Sequence, residues 1–525
     1  MSPTPTPGTP SSTPTAATPA ALYPQYRQPD FPAWEREILE YWAQHRVFEQ
    51  SVESRQGQPT FTFYEGPPSA NGSPGIHHVM ARAIKDTFCR YQTLQGRQVH
   101  RKGGWDTHGL PIEIAVEKQL GITKKDIGTK ISVDEYNAAC RREVMKYKQE
   151  WDELTRKMGY WVDLQNPYIT YETSYMESVW QLLKRLYDKT YRDDKGKEQR
   201  YLYKGYTIQP YSPAAGTGLS SHELNQPGAY RMVKDTSAVV MFELTAELPF
   251  AAEAGDTGET PKTYLLAWTT TPWTLPANAA LAVGKDIEYV CVETYYPYAP
   301  DKANPDRIRV ILAKERLGAY FAAEAEVREG PISVPAAWPK DPSKLPWKII
   351  GFYDKEKNQE STQITGKTLR VLIKLDFSNS RYITVFDGLS ILNSYKRKPG
   401  MFQVIPADFV TTEDGTGIVH ISPTFGSDDK LVADKYDISG IFIPENGAEL
   451  PEPIVDREGK YSTATDKEGN PLMGQWAGRY VKNYTDDPNY QSLDVDLVVW
   501  LKEQGRCFRA EKYEHNYPHC WRTDK

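Results

Sequence analysis

The chain has few cysteines and no long hydrophobic run. Its 525 residues include 5 cysteines, an odd number spread along the length as Cys89, Cys140, Cys291, Cys507 and Cys520. Thiols scattered in this way argue against a disulfide framework and favour a reducing compartment, so we expect a cytoplasmic location. No stretch approaches the roughly 20 apolar residues that a membrane helix needs, so we expect no membrane partner.

The chain also lacks an excess of basic charge. Its 63 lysines and arginines are outnumbered by 69 acidic residues, which leaves a net charge of −6. A nucleic-acid partner would therefore have to bind local basic patches rather than the protein as a whole. Apolar residues, by contrast, are plentiful. They make up 39% of the chain, which at this length is enough for two or more packed domains.

Composition divides the chain into four stretches. Residues 1–30 are rich in proline, threonine, serine and alanine and have too little apolar surface to fold, so we expect a disordered tail. Residues 31–205 alternate strand and helix patterns. Residues 206–510 carry short alternating apolar runs between prolines, which indicates an inserted β-rich domain with a barrel-like or sandwich fold. Residues 511–525 are expected to begin the return to the first domain.

A strand, a loop and a helix follow one another near the start of the first domain. Residues 61–65 alternate as a strand does, and apolar residues recur at steps of three and four over residues 76–94, which predicts a helix with His77 and His78 in its first turn. A helix start after a glycine-containing loop favours phosphate binding, although a surface or capping role is an alternative for either histidine. The candidate phosphate-contact residues of the loop are Asn71, Gly72, Pro74 and Gly75.

Two short sequence motifs, or words, in this region resemble those of the class I aminoacyl-tRNA synthetases, and among them the isoleucyl-tRNA synthetases. They are EGPPSANG, which starts at Glu65, and GWDTHGLPIE, which ends at Glu113. The family usually continues its first word with His-x-Gly-His, whereas this chain has Gly75 in place of the first histidine and His77 in place of the glycine. The resemblance implies that His78, joined by His77 from the neighbouring position, stabilises the phosphates of ATP.

The second word supplies a candidate amino-acid site. Asp106 lies in a glycine-rich corner ahead of Pro111, which suits the first turn of a helix. A carboxylate there can pair with a ligand ammonium, and a turn or a helix cap is the alternative role. The resemblance implies that Asp106 binds the α-ammonium of isoleucine and that Pro67 lines the same pocket.

Two amphipathic helices are predicted after this word. Ser132 and Glu135 form a capping box, and the apolar stripe that follows predicts one long helix with a core face up to Gly159. A second stripe predicts a helix over residues 172–190. We expect that helix to bury Tyr175, Met176, Val179, Trp180, Leu183 and Leu186.

A cysteine pair is missing from the segment YSPAAGTGLSSHEL. Many members of the family carry a Cys-x-x-Cys zinc pair here, whereas this chain has Ser212 and Ala215. Cys520 similarly has Thr523 where a second thiolate would be needed. Hydroxyl and methyl groups do not replace thiolates on zinc, so we predict no zinc site in this chain.

Two polar words lie within the β-rich stretch. They are WTTTPWTLPAN at residues 268–278 and DGTGIVHISPTFGSDD at residues 414–429, and their side chains could bind a small ligand and position a water. Together they resemble the editing domain of the isoleucine, valine and leucine synthetases. The resemblance implies that the threonines hold the terminal adenosine and the wrong aminoacyl group, that the histidine shapes the pocket and that the last aspartate grips the α-ammonium. The residues assigned to this pocket are Thr269, Thr270, Thr271, Asn278, His420 and Asp429.

The resemblance covers roughly residues 32–525 and implies an α/β fold, with the first half of a Rossmann-like nucleotide-binding domain and an inserted β-rich editing domain. The implied function is ATP-dependent activation of isoleucine and its transfer to isoleucine tRNA, with hydrolysis of misactivated valine and valyl-tRNA. Isoleucine, isoleucine tRNA and ATP with Mg²⁺ are the implied partners, and we expect a monomer.

The chain's length shapes one further expectation. The family's lysine-bearing loop and its anticodon-binding helices would follow Lys525, so this stretch alone is expected to lack synthesis and to retain editing. Two alternatives remain open. One is a free-standing hydrolase that edits mischarged tRNA, and the other is a non-catalytic relative that binds tRNA.

Overall fold

A computed structural model describes residues 28–205, 207–245, 260–352, 363–365, 368–370, 380–396, 398–444 and 451–525. The predicted tail lies outside these ranges except for residues 28–30. The chain forms two compact units, which divide between Leu202 and Tyr203. The domain bounds drawn from composition stay predictions. Within the described ranges no helix has both the length and the apolar content that a membrane span requires.

The first unit is built on a parallel sheet of three strands in sequential order, β1 (Thr60–Tyr64), β2 (Gln98–Trp105) and β3 (Asp163–Ile169). Helices separate the strands, as the predicted α/β fold requires. They are α1 (Phe31–Gln44), α2 (Val47–Glu53), α3 (Ile76–Leu94), α4 (Leu110–Leu120), α5 (Val133–Val144), α6 (Lys148–Lys157) and α7 (Thr173–Asp188). A hairpin of β4 (Thr190–Arg192) and β5 (Glu198–Arg200) ends the unit.

Helix α3 confirms the predicted helix and the place of both histidines in its first turn, but its apolar stripe lies on the exposed face. The exposed side chains are Ile76, Met80, Ile84, Phe88, Tyr91 and Leu94. The opposite face buries Arg82, Asp86, Cys89 and Thr93. Arg101 of β2 contacts two polar members of that face: its guanidinium lies 3.4 Å from Asp86 Oδ1 and donates to Thr93 Oγ1 at 2.8 Å.

The predicted burial of the α7 stripe is wrong. No residue of α7 is buried, and five members of the stripe are between 36% and 60% exposed, namely Tyr175, Val179, Trp180, Leu183 and Leu186. Met176 is half-buried. The helix follows β3, which is an edge strand of the three-stranded sheet. The described part of this unit has no further strand on that side to support the helix.

The single long helix predicted from Ser132 to Gly159 is two helices. The capping box of Ser132 and Glu135 is confirmed, with the Glu135 N–H donating to Ser132 Oγ at 3.2 Å. The break falls between α5 and α6 because the Tyr147 N–H donates to Ala70 O at 2.9 Å instead of to a carbonyl four residues back. A tertiary bond therefore replaces a helical one.

The second unit confirms the predicted β-rich texture with a mixed sheet of ten strands. The strands of this unit are β6 (Tyr211–Ser212), β7 (Thr217–Gly218), β8 (Tyr230–Leu244), β9 (Thr263–Thr269), β10 (Ala280–Val283), β11 (Tyr289–Tyr295), β12 (Arg307–Ala313), β13 (Lys348–Phe352), β14 (Gln363–Thr365), β15 (Thr368–Arg370), β16 (Tyr382–Ile383), β17 (Gln403–Pro406), β18 (Ile418–Ile421), β19 (Phe442–Ile443), β20 (Glu452–Pro453) and β21 (Cys507–Pro518). Its helices are α8 (Ser221–Leu224), α9 (Leu317–Tyr320), α10 (Ser427–Lys435) and α11 (Leu493–Glu503).

The central part of the ten-stranded sheet is buried on both faces. Strand β8 sends Val240 and Phe242 into one apolar cluster, and Val239 and Met241 into another. Alternate residues of a strand point to opposite faces, so a single strand serves two cores.

Strand direction places the two polar words side by side. Strand β9 ends at Thr269 and strand β18 at Ile421, and the two strands are parallel neighbours in the sheet, with Val419 paired to Trp268. Parallel neighbours end at the same sheet edge. The threonines that follow β9 and the residues that follow β18 therefore leave the sheet together.

Candidate functional site

The loop between β1 and α3, which holds the predicted phosphate contacts, is fixed by helix α6 and the residue before it. Trp151 Nε1 donates to Gly72 O at 2.8 Å, and the Tyr147 N–H donates to Ala70 O at 2.9 Å. Within the loop, Ser69 Oγ donates to Asn71 Oδ1 at 3.0 Å. The backbone of the loop is thus anchored before any ligand arrives.

His78 is held as a neutral hydrogen-bond donor. The Gly75 N–H donates to His78 Nδ1 at 2.9 Å, so Nδ1 is the acceptor nitrogen and the ring proton lies on Nε2. Burial lowers the pKa of His78, and the neighbouring His77 and Arg82 lower it further. A neutral imidazole at a helix start can donate from Nε2 to a phosphate oxygen.

His77 fills the space beside Gly75. Its ring is exposed and its centroid lies 3.7 Å from that of His78. A Cβ atom placed on Gly75 would lie only 2.8 Å from His77 Cε1, so a side chain at position 75 and the imidazole of His77 compete for one place. The role of His77 in place of the missing histidine stays a prediction. Pro74 is half-buried next to these residues.

Asp106 lies at the end of β2, next to the loop that follows β1. Its N–H donates to Pro68 O at 3.0 Å, and this bond joins the end of β2 to the loop after β1. Pro67 is the residue before Pro68, so it lies near Asp106. Asp106 Oδ1 accepts from the His108 N–H at 3.3 Å, so the turn-stabilising role is present. The side chain is exposed and therefore open to a ligand as well.

Sequence reasoning missed Glu65, a buried carboxylate at the end of β1. Lys85 Nζ lies 2.7 Å from Glu65 Oε1, Arg82 Nε lies 3.9 Å away, and the hydroxyl of Tyr160 donates to Oε2. These partners lie 17 to 95 residues along the chain, so no local pattern links them to Glu65. The sequence did hold one signal for Glu65, because this carboxylate directly precedes the glycine and the two prolines of the loop.

In the second unit the two polar words meet through their side chains. Thr274 Oγ1 lies 3.0 Å from His420 Nε2 and 3.3 Å from Thr271 Oγ1, and Thr271 Oγ1 lies 3.4 Å from Thr269 Oγ1. Thr270 is half-buried between its neighbours in sequence. Thr274 was not among the predicted residues, although it stands in the first word. It is the hydroxyl that connects the threonines with the histidine.

His420 is a neutral, buried ring. Burial lowers its pKa to about 4. Among the residues that the structure describes, its Nδ1 has no hydrogen-bond partner. Such a ring shares a hydrogen bond with Thr274, and it carries no positive charge near neutral pH. Its role in shaping a pocket stays a prediction.

Asp429 stands in the first turn of α10. Its Oδ2 accepts from the Ser422 N–H at 2.8 Å, one residue past the end of β18. Burial raises the pKa of its carboxyl group. A Cβ atom at Gly426 would lie 2.5 Å from Asp429 Oδ2, so glycine at 426 leaves room for the carboxylate. A bound ammonium would stabilise the ionised form of this acid.

Asn278 has its amide engaged inside the protein. The side chain is fully buried, its Oδ1 accepts from the hydroxyl of Tyr382, and its Nδ2 donates to Ala280 O at 2.9 Å. This placement favours a structural role over ligand contact. Its assignment to the editing pocket stays a prediction.

The four positions that correspond to zinc thiolates in the resemblance, Ser212, Ala215, Cys520 and Thr523, are linked by hydrogen bonds. The Ala215 N–H donates to Ser212 Oγ at 3.2 Å, and both residues are buried. Burial works to raise the pKa of the Cys520 thiol, but hydrogen bonds from Thr523, Arg522 and Ser212 lower it overall. The described ranges hold no group of three or more His, Cys, Asp and Glu residues that would suit a metal ion.

Comparisons with known proteins extend these observations. The family model for class I tRNA synthetases (I, L, M and V) matches residues 37–417. An isoleucine–tRNA ligase from Porphyromonas gingivalis is 49% identical over 96% of this chain and 41% of its own length. One from Cytophaga hutchinsonii is 51% identical over 93% of this chain and 40% of its own length. The chain therefore spans about two fifths of the length of these curated relatives.

A solved structure gives weaker overlap. The crystal structure of GlLeuRS-CP1 covers 53% of this chain and 99% of its own at 14% identity, with a TM-score of 0.29. Overlap at that level carries no argument about this protein.

Proposed function

The chain belongs to the class I tRNA synthetases (I, L, M and V), and on that premise we propose that it serves the ATP-dependent ligation of isoleucine to its tRNA together with hydrolysis of mischarged valyl-tRNA. Identities of 49% and 51% to two isoleucine–tRNA ligases support isoleucine as the amino acid. The proposal concerns the whole protein, since those relatives are longer than this chain.

Activation of the amino acid is assigned to the first unit. Isoleucine would be held by its ammonium on Asp106, with Pro67 lining the pocket. An oxygen of its carboxylate attacks the α-phosphorus of ATP, a carboxylate–phosphorus bond forms, and pyrophosphate leaves. Charge grows on the phosphoryl oxygens during this step. His78 Nε2–H, the start of α3 and the imidazole of His77 supply donors to that charge, while ATP arrives with Mg²⁺ on its phosphates.

Editing is needed because a pocket for isoleucine cannot exclude valine by size. One missing methylene is worth only about 1–3 kcal/mol, a recognised limit for these two amino acids. A second, smaller pocket admits valine and rejects isoleucine. In that pocket water attacks the ester carbonyl, the bond from the carbonyl carbon to the ribose oxygen breaks, and the ribose oxygen takes a proton. The products are valine and uncharged tRNA.

The residues of the second unit suit this step as positioning groups. The hydroxyls of Thr269, Thr270 and Thr271 would hold the terminal adenosine and the aminoacyl ester. Asp429 would bind the α-ammonium of valine, and an occupied carboxylate is a poor general base. Neutral His420 would limit the size of the pocket. Placing water beside an already reactive ester supplies most of the rate.

The single observation that carries the editing proposal is the 3.0 Å contact between Thr274 and His420. It joins two words that are far apart in sequence into one set of hydroxyl and imidazole groups. Each word on its own has an ordinary explanation as a strand end or a hairpin turn. The parallel pairing of β9 and β18 brings the two words to one sheet edge, and the contact shows that their side chains meet there.

The test is hydrolysis of valyl-tRNA and isoleucyl-tRNA, both prepared on isoleucine tRNA, by the 525-residue chain. We expect loss of valine alone, and we expect Asp429→Ala to abolish it. Asp428→Ala is the matched control, because its exposed carboxylate precedes Asp429 on the same helix turn. Equal hydrolysis of both esters would contradict the size selection. Binding of the tRNA in a filter assay without any hydrolysis would favour the non-catalytic alternative.

A further inference from the structure

The threonine word runs directly into a short 3-10 helix that lacks a local cap. The helix spans Pro272–Ala277, and Thr271 before it makes no side-chain cap bond. A helix start normally takes a side-chain oxygen from this position onto its first free N–H groups. The Thr271 hydroxyl instead faces the hydroxyls of Thr269 and Thr274, at 3.4 Å and 3.3 Å.

Asp494 supplies the missing cap from a distant part of the chain. The Trp273 N–H donates to Asp494 Oδ1 at 3.1 Å, across 221 residues of sequence. The carboxylate is 3% exposed and sits in the first turn of α11, where the helix dipole favours negative charge. On the other side of the same residue, the buried hydroxyl of Tyr461 donates to Trp273 O. The backbone of Trp273 is thus held from both sides.

A half-buried lysine compensates the charge of this cap. Lys482 Nζ lies 3.0 Å from Asp494 Oδ2 and 3.0 Å from Asp235 Oδ2, and His515 Nε2 lies 3.2 Å from the same atom of Asp235. Burial by itself lowers the pKa of Lys482, but the two aspartates raise it above its ordinary value. The lysine therefore stays charged. Burial raises the pKa of Asp494, and the charge of Lys482 opposes that rise and favours the carboxylate as an acceptor.

Trp273 also touches the second word. Its ring lies edge-on to Phe425, with centroids 5.0 Å apart. Phe425 stands between Ser422 and Asp429, which are joined by a hydrogen bond of 2.8 Å. A shift of Trp273 would therefore disturb the threonines and the carboxylate at the same time.

We propose that Asp494 is a positioning residue of the editing site, which caps the 3-10 helix through Trp273 and leaves the Thr271 hydroxyl available to the substrate. The inference rests on the proposed editing function. Without the carboxylate, Thr271 is the nearest side chain able to cap the helix, and turning to do so would remove its hydroxyl from the pocket. Misplacement of this kind lowers the rate of the chemical step more than the affinity for tRNA.

Three variants separate this role from general stability. Asp494→Ala removes the cap, and Asp494→Asn keeps an acceptor oxygen for Trp273 while dropping the charge. Asp496→Ala is the matched control on the same helix, because Asp496 Oδ2 pairs with Arg479 at 2.8 Å and the control leaves the Trp273 cap intact. Amide hydrogen exchange of peptides that cover residues 271–278 reports the cap without any substrate. We expect faster exchange in Asp494→Ala, and wild-type exchange in the other two variants.

Kinetics on isoleucine tRNA charged with valine report the consequence. We expect Asp494→Ala to lower kcat for hydrolysis by about 10- to 100-fold with little change in KM, and Asp494→Asn to recover most of that loss. Unchanged exchange in Asp494→Ala, or an equal kinetic loss in Asp496→Ala, would overturn the inference. If the wild-type chain hydrolyses nothing, the proposed function fails, while the exchange data still decide whether Asp494 caps the helix.

Discussion

Thr274 and His420 are separated by 146 residues, yet Thr274 Oγ1 lies 3.0 Å from His420 Nε2. Both side chains are buried, so the contact is made in a region of low dielectric where a neutral ring is favoured over a charged one. The parallel pairing of β9 and β18 produces this meeting, since it carries both chain segments to one edge of the sheet.

His420 makes the stability of the second unit depend on pH. Its pKa is about 4 when folded and returns to the ordinary 6.5 on unfolding, so below pH 6.5 the unfolded chain takes up a proton that the folded ring refuses. Stability present above pH 6.5 is therefore lost as the pH falls towards 4, by about 3 kcal/mol. Denaturant unfolding at pH 7 and pH 4.5 measures the loss. His420→Gln should show a smaller one, and an equal loss would contradict the assignment.

The two histidines of α3 should separate stability from ATP binding. His78→Ala removes the acceptor of the Gly75 N–H, and we expect it to cost about 1 kcal/mol of unfolding free energy. His77→Ala truncates an exposed ring and should change stability by less than about 0.5 kcal/mol. Both should weaken ATP binding in equilibrium dialysis. Unchanged ATP affinity in His77→Ala would show that His77 does not replace the missing histidine.

Substitution of the buried Glu65 should destabilise the first unit strongly. Glu65→Ala leaves Lys85 and Arg82 without their buried carboxylate, which we expect to cost about 3–5 kcal/mol in thermal or denaturant unfolding. Glu53→Ala is the control, because its ion pair with Arg46 is 62% exposed on both sides and should contribute no more than about 1 kcal/mol. Similar losses in the two variants would argue that the Glu65 cluster is well solvated.

The four positions Ser212, Ala215, Cys520 and Thr523 should bind a metal when each of them carries a thiol. Ser212→Cys, Ala215→Cys and Thr523→Cys together would place three new thiols beside Cys520, with which Ser212 and Thr523 already form hydrogen bonds. Four thiolates suit tetrahedral zinc, so we expect one zinc per chain by elemental analysis. A variant that keeps Thr523 should bind zinc more weakly. A triple variant without zinc would show that the four positions are wrongly spaced for a metal.

Local patterns were sufficient for several elements. The strand at Thr60–Tyr64, the helix at Ile76–Leu94 and the capping box of Ser132 and Glu135 all follow from side chains close together in sequence. Periodicity and capping act over a few residues, so a single sequence contains them. The two words of the second unit were likewise visible as polar clusters at strand ends.

Other features depended on partners that no local pattern reveals. The apolar stripes of α3 and α7 are exposed. Sequence periodicity could not show this, because it indicates that a helix has an apolar face but not what covers that face. Tyr147 breaks the expected long helix by donating to Ala70. Thr274 was overlooked because only its bond to His420 distinguishes it from the other threonines of the word.

The sequence by itself determined the family, the α/β and β-rich character of the two parts, and the residues offered for phosphate, amino-acid and ester chemistry. Tertiary structure alone decided which of those residues meet. In the folded chain Glu65 pairs with Lys85, and the amide of Asn278 is buried and hydrogen-bonded. Asp494 caps the helix that follows Thr271. The physical reason is that hydrogen bonds and ion pairs act over about 3–4 Å in space, whereas the chain segments that form them lie tens to hundreds of residues apart.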